Sequence, residues 1–212
     1  VHVYEQNVSA LEQEEIQEQR ELAETYNANL VGDELHDPFI QGSGYVIPDN
    51  YNEVLNLSED GVMGYVDIPK IDVSIPIYHG TSEEILQKGA GHLEASSLPV
   101  GGTDTHSVIS AHRGLPSAKL FTDLDELETG DVFYIHVLDE VLAYQVDQIN
   151  TVDPDDLDLL RVVNGRDLVT LLTCTPYAVN THRLLVRGTR IPYEEAKEVQ
   201  VKAETGGKSL SA

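Results

Sequence analysis

Between positions 61 and 191 the chain is cut into short β-branched runs, each closed by proline, glycine or a turn dipeptide. That punctuation leaves few ways to fold. Residues 64–68 and 73–78 read as short strands, and 107–111 as another. Residues 131–138 and 142–152 alternate around Asp139-Glu140 in the manner of a hairpin. Residues 168–173 and 184–191 are apolar on successive positions, which is expected of central strands buried on both faces. Residues 82–88, 119–127 and 153–160 read as short helices or helical turns. Many short strands, few helices and no repeat of fixed period predict a mainly β fold, a closed or nearly closed barrel.

The first forty residues have another character. They carry Glu5, Glu12, Glu14, Glu15, Glu18, Glu21, Glu24, Asp33, Glu34 and Asp37 against Arg20. Glu- and Gln-rich sequence free of Gly and Pro from Glu5 to Leu30 favours helix. Val8, Leu11, Ile16, Leu22, Ala23, Tyr26 and Leu30 supply an imperfect apolar stripe at helical spacing. The acids read first as a solvated outer face and second as a site for a basic partner. Gly32 and Asp37-Pro38 end the helical pattern. The segment that follows is rich in turn residues, yet Phe39, Ile40, Tyr45, Val46 and Ile47 are too apolar for a free linker, so it should lie over something. After Ile191 the chain turns polar and is expected to end as a disordered tail or linker. These shifts divide the chain into an N-terminal helical extension (1–31), a covering segment (32–52), a barrel (53–192) and a polar tail (193–212).

Acids outnumber bases 37 to 13, for a formal charge of −24. Such a chain is repelled by phosphate backbones and anionic membrane surfaces, which argues against nucleic-acid binding. The single cysteine, Cys174, excludes an intramolecular disulfide and a multi-cysteine zinc site. No paired histidines at metal-ligand spacing, no phosphate-binding glycine loop and no calcium loop can be read, so no metal or cofactor is expected. No apolar run approaches the about 18 residues of a membrane span. The chain opens on Val1 and has Met63 as its one methionine, which reads as a trimmed fragment.

Three residues stand where strands meet loops. Cys174 follows the apolar run 168–173 and precedes Thr175-Pro176, a place that exposes a side chain on a rigid support. A lone cysteine is as easily a small buried hydrophobe; a nucleophilic one needs a base or cation to supply thiolate. His112 closes the strand 107–111 and precedes Arg113-Gly114. The other histidines (His2, His36, His79, His92, His106, His136 and His182) read as surface, turn or alternating-strand residues. Arg183 opens the last strand, and a tight connection would bring it to the rim that holds Cys174. Arginine keeps its charge and offers forked donors to a carbonyl oxygen, as acyl transfer requires. Arg187 and Arg190, further along, read as solvent-facing charges.

Three motifs carry a resemblance, and a fourth refines it. Thr170-Leu171-Leu172-Thr173-Cys174 resembles the TLxTC signature of sortases, the cysteine transpeptidases of Gram-positive cell surfaces. His112 within Ser110-Ala111-His112-Arg113-Gly114 resembles their catalytic histidine, and Arg183 within Thr181-His182-Arg183-Leu184-Leu185-Val186 their catalytic arginine. Asp37-Pro38-Phe39 resembles the lid of class C, pilin-polymerising sortases. The resemblance implies the eight-stranded sortase barrel with short helices, an N-terminal helical extension and a lid loop. It implies Cys174 as nucleophile, His112 as general acid/base and Arg183 as oxyanion or substrate-positioning cation, with the Thr175 backbone N–H as a further oxyanion donor. Asp37 should pair with Arg183, and Phe39 should cover Cys174 and approach His112. The implied partners are pilin subunits that carry LPxTG-like sorting signals and an acceptor lysine. The implied location is the outer face of the cell membrane, reached through anchors absent from this chain. Two other readings stand beside it: a housekeeping-type sortase that anchors proteins to peptidoglycan, and a non-catalytic surface module on a sortase-like barrel.

Overall fold

A computed structural model describes residues 1–30, 39, 49–57 and 59–208. Two helices, α1 (His2–Ser9) and α2 (Gln13–Asn29), precede the strands β1 (Val62–Ile68) and β2 (Val73–His79). A helical turn, α3 (Glu83–Leu86), leads into β3 (Ala90–His92) and β4 (Thr105–Ser110). Then come β5 (Val132–Val137), β6 (Glu140–Val152), β7 (Asp167–Thr175), β8 (His182–Ile191) and the helix α4 (Tyr193–Lys208). The strands close into a barrel in the order β1-β2-β3-β4-β7-β8-β6-β5, the mainly β architecture that the strand pattern predicts.

Side chains that alternate inward fill the barrel. Val66, Ile77, Ile109, Phe133, Ile135, Leu171 and Val186 belong to one apolar core, each fully buried. The N-terminal helices extend this core outside the wall: Tyr4, Val8, Ile16, Ala23 and Tyr26 pack into it. Tyr4 also seals the joint with hydrogen bonds, donating to the Met63 carbonyl at 3.1 Å and accepting from the Leu138 N–H at 2.8 Å. The acids of α2 face solvent, except that Arg20 reaches across to Asp139 at 2.7 Å.

The hairpin expected around Asp139-Glu140 forms, with Leu138 and Asp139 as its two-residue turn and Val137 paired to Glu140. Three expectations need correction. Residues 119–127 are not a helix: only Leu124–Glu126 makes a 3-10 turn, because Leu120 is left-handed (φ 42°) and the Phe121 N–H is drawn to the His112 carbonyl. Strand β3 went unread, since two of its three residues, Ala90 and Gly91, carry no β signal. The segment after Ile191 is helical to Lys208 rather than disordered, and it docks by burying Ala196 against Val132, Tyr134 and Ala143.

Candidate active site

Strand directions bring three expected site residues to one rim. β4 and β7 run parallel with Ser110 opposite Leu172, so both strands reach the same end of the barrel together. The seam continues past β4: the Ala111 N–H donates to the Leu172 carbonyl at 3.2 Å, and the Thr173 hydroxyl donates to the Ala111 carbonyl at 2.7 Å. His112 is the next residue. β8 is antiparallel to β7 and starts at the same rim, with Cys174 opposite Arg183.

Alternation decides which face these side chains share. Ile109, Ala111, Leu171, Leu184 and Val186 belong to the barrel core. Val108, Leu172 and Leu185 therefore point outward, where they form a second apolar cluster with Leu93 and Leu160. Cys174, two residues beyond Leu172, and Arg183, two before Leu185, fall on that outer face. Each is 7% exposed.

Phe39 packs against this outer cluster. Its ring centroid is 5.3 Å from that of His112, tilted by 53°, and 5.2 Å from the Arg183 guanidinium carbon. A cation held over a ring face is attracted by the ring quadrupole. Arg183 Nη1 also donates to the carbonyls of Asn180 (3.1 Å) and His182 (3.0 Å), which fixes the guanidinium at the rim. Asp37 and Pro38 lie outside the described residues, and so does the expected pairing of Asp37 with Arg183.

Sequence reasoning missed two neighbours of this group. Glu83, on α3, places Oε1 3.3 Å from His112 Nε2. Arg113, directly after His112, sends Nη1 to the hydroxyl of Thr175, directly after Cys174, at 3.1 Å. Glu83 gave no signal beyond lying in the short helix expected over 82–88, while Arg113 was visible as part of the histidine motif.

Three histidines read as surface or strand residues prove to be buried hydrogen-bonding hubs. His92 places Nδ1 2.7 Å from the Tyr51 hydroxyl and Nε2 2.7 Å from the Ser97 carbonyl, and burial pushes its pKa down to about 3. His106 spans the Arg161 carbonyl and the Thr170 hydroxyl, both at 2.7 Å, and burial lowers it to about 4. His79 meets the carbonyls of Gly61 (2.7 Å) and Val54 (2.6 Å), tying residues 49–57 to the barrel. Arg187 is likewise no free surface charge: Nε and Nη2 grip Asp147 at 2.9 Å each. Among the described residues no group of three His, Cys, Asp or Glu could hold a metal ion.

A thiol, an imidazole and a guanidinium gathered on an apolar, water-poor face have the makings of acyl transfer through a covalent intermediate. Comparison with known proteins gives the same direction. Residues 66–191 match the family model described as a sortase domain. Sortase C of Streptococcus pneumoniae is 53% identical in sequence, its structure superimposing with a TM-score of 0.84 over 91% of this chain and 96% of its own. Sortase C1 of Streptococcus agalactiae, in complex with MTSET, is 49% identical with a TM-score of 0.84, covering 91% and 96%. Sortase A of Bacillus anthracis is 28% identical over 152 residues, 71% of this chain and 70% of its own length.

Proposed function

The chain belongs to the sortase family of cysteine transpeptidases, on its class C side, and from that premise we propose that it joins pilin subunits through a thioacyl-enzyme. In this reading the Cys174 sulfur attacks the Thr carbonyl carbon of an LPxTG-like sorting signal. The Thr–Gly C–N bond breaks, and His112 gives its proton to the departing glycine amine. A pilin lysine amine then attacks the thioacyl carbon, His112 takes the proton released, and the Cys174 sulfur leaves. Arg183 holds the developing oxyanion or the donor peptide against the rim, and the Thr175 N–H is a second donor to that oxyanion.

One observation carries the reading: strand register sets Cys174 beside Arg183, at the rim where β4 ends two residues before His112. The pilin acceptor is supported by the similarity to sortase C of S. pneumoniae, whose structure is described as informing pilin substrate specificity. Phe39, packed against His112 and Arg183, is the part of the proposed lid within the described residues, and its place suits a resting enzyme closed to water and peptide. Sortases work at the Gram-positive cell surface. No helix among the described residues is long and apolar enough to cross a membrane.

The test is the protein mass after incubation with an LPxTG-type peptide, with and without a lysine-bearing pilin peptide. An acyl adduct that Cys174→Ala abolishes, and that the lysine peptide discharges as a new amide, is expected. Discharge by a cell-wall precursor amine but not by lysine would make this a housekeeping-type enzyme. Absence of any adduct, in wild type and in Phe39→Ala alike, would leave a non-catalytic module.

A further inference from the structure

Arg113 is a cation buried between the two loops that carry the proposed acid/base and nucleophile, with its side chain only 7% exposed. Its Nε donates to the Thr122 carbonyl at 3.0 Å, Nη2 lies 2.9 Å from an Asp125 carboxylate oxygen, and Nη1 donates to the Thr175 hydroxyl at 3.1 Å. The guanidinium carbon also lies 5.8 Å from the centroid of the Tyr177 ring. Thr122 and Asp125 belong to the segment that returns from His112, while Thr175 closes β7 just after Cys174 and Tyr177 lies in the loop that follows.

The two loops touch at other points as well. Gly114, at φ +79°, presents its bare Cα so close to Tyr177 that a Cβ there would sit 3.2 Å from the ring. Within the first loop, the Gly114 N–H donates to the Thr122 hydroxyl at 3.0 Å and the Phe121 N–H to the His112 carbonyl at 3.1 Å, so that loop is itself held in one shape. Burying a guanidinium is costly, and apolar side chains would glue two loops together at less expense. What a planar fork of fixed donors adds is direction: it sets where one loop stands relative to the other.

We propose that Arg113 is a positioning residue: through Thr175 it fixes the strand end bearing Cys174 relative to the loop that starts at His112. The proposal rests on the transpeptidase reading of those two residues. Arg113 itself acts through Thr175 and the loop backbone, and a misplacement of roughly 1 Å between reacting groups is enough to slow chemistry by up to about a hundredfold.

The experiment compares wild type with Arg113→Gln, Thr175→Val and the double variant. Steady-state kcat and KM are read with an LPxTG-type peptide, and the pH dependence of Cys174 alkylation by iodoacetamide is read without peptide. Thr175→Val removes one bond and leaves the rest of the cluster, so it serves even where Arg113→Gln folds poorly. The expected result is a kcat roughly tenfold lower in each single variant with KM little changed, and no further loss in the double, because Arg113→Gln already cuts the contact that Thr175→Val removes. The alkylation profile should shift in both. The proposal is overturned if Thr175→Val keeps wild-type kcat and a superimposable alkylation profile, or if the two losses simply multiply. Should the wild type itself fail to turn over any sorting peptide, the substrate reading falls, and the alkylation profiles alone still decide the role of Arg113.

Discussion

Thr173 donates its hydroxyl hydrogen to the carbonyl of Ala111, 2.7 Å away, and so locks β7 to the end of β4 one residue before Cys174 and one before His112. Both residues are fully buried. Thr173→Val keeps the shape and removes the donor, at a cost of about 1–3 kcal/mol for a buried bond. For a domain of this size that is a fall in Tm of several degrees. The same change should lower kcat, since it loosens a seam that sets Cys174 relative to His112. Calorimetry and peptide turnover check both effects, and a variant as stable and as active as wild type would show that the seam does not hold the site.

Phe39→Ala should speed alkylation of Cys174. The ring touches the outer apolar cluster, stands against His112 and lies under the Arg183 cation. Losing those contacts costs the closed arrangement on the order of 1–2 kcal/mol, which corresponds to a rate gain of roughly tenfold. Iodoacetamide kinetics under native conditions measure it. Equal rates in the two proteins would mean that Phe39 does not guard the thiol.

Acid should unfold the protein earlier than its carboxylates alone would require. Burial holds His92 near pKa 3 and His106 near pKa 4, against 6.5 for the free side chain. Below about pH 6.5 the unfolded chain takes up protons that the folded one refuses, so stability falls as pH falls through that window. Each histidine contributes about 1.4 kcal/mol per pH unit. Urea midpoints at pH 7, 6 and 5 should descend, and His106→Asn should flatten the slope. A wild-type midpoint that stays level down to pH 5 would contradict burial of these rings in neutral form.

The barrel was legible because its central strands announce themselves: a segment such as Leu168–Leu172 has apolar side chains to bury on both faces, and few other folds accommodate it. The placement of the candidate site was legible in the same way, since Cys174 and Arg183 pair near the ends of β7 and β8, and His112 follows β4 by two residues. Partners that arrive through space were not. Glu83 reaches His112 from a helical turn, and His92 and His106 gain the Tyr51 hydroxyl and the Arg161 carbonyl from segments 41 and 55 residues away. Polar composition also misled at α4, where Ala196 and Val199 pack against β5 and β6 and the Tyr134 hydroxyl donates to Gln200, enough to dock a mostly polar helix.

Gly188 offers a stability change that leaves the chemistry alone. It sits in the middle of β8, opposite Val169 and Val146, where the rings of Phe133 and Tyr144 stack 5.8 Å apart. A Cβ on Gly188 would meet Phe133 Cε1 at 2.6 Å, Phe133 Cζ at 2.7 Å and Tyr144 Cβ at 2.8 Å. Both aromatic residues are fully buried and cannot swing clear, so Gly188→Ala must push the strand or the rings apart. Overpacking of this kind costs about 1–3 kcal/mol. The strain is several residues from the rim, so the folded fraction should keep wild-type kcat while the urea midpoint drops. A lower kcat at full folding would instead mean that displacement at the centre of β8 is carried along the strand to Arg183.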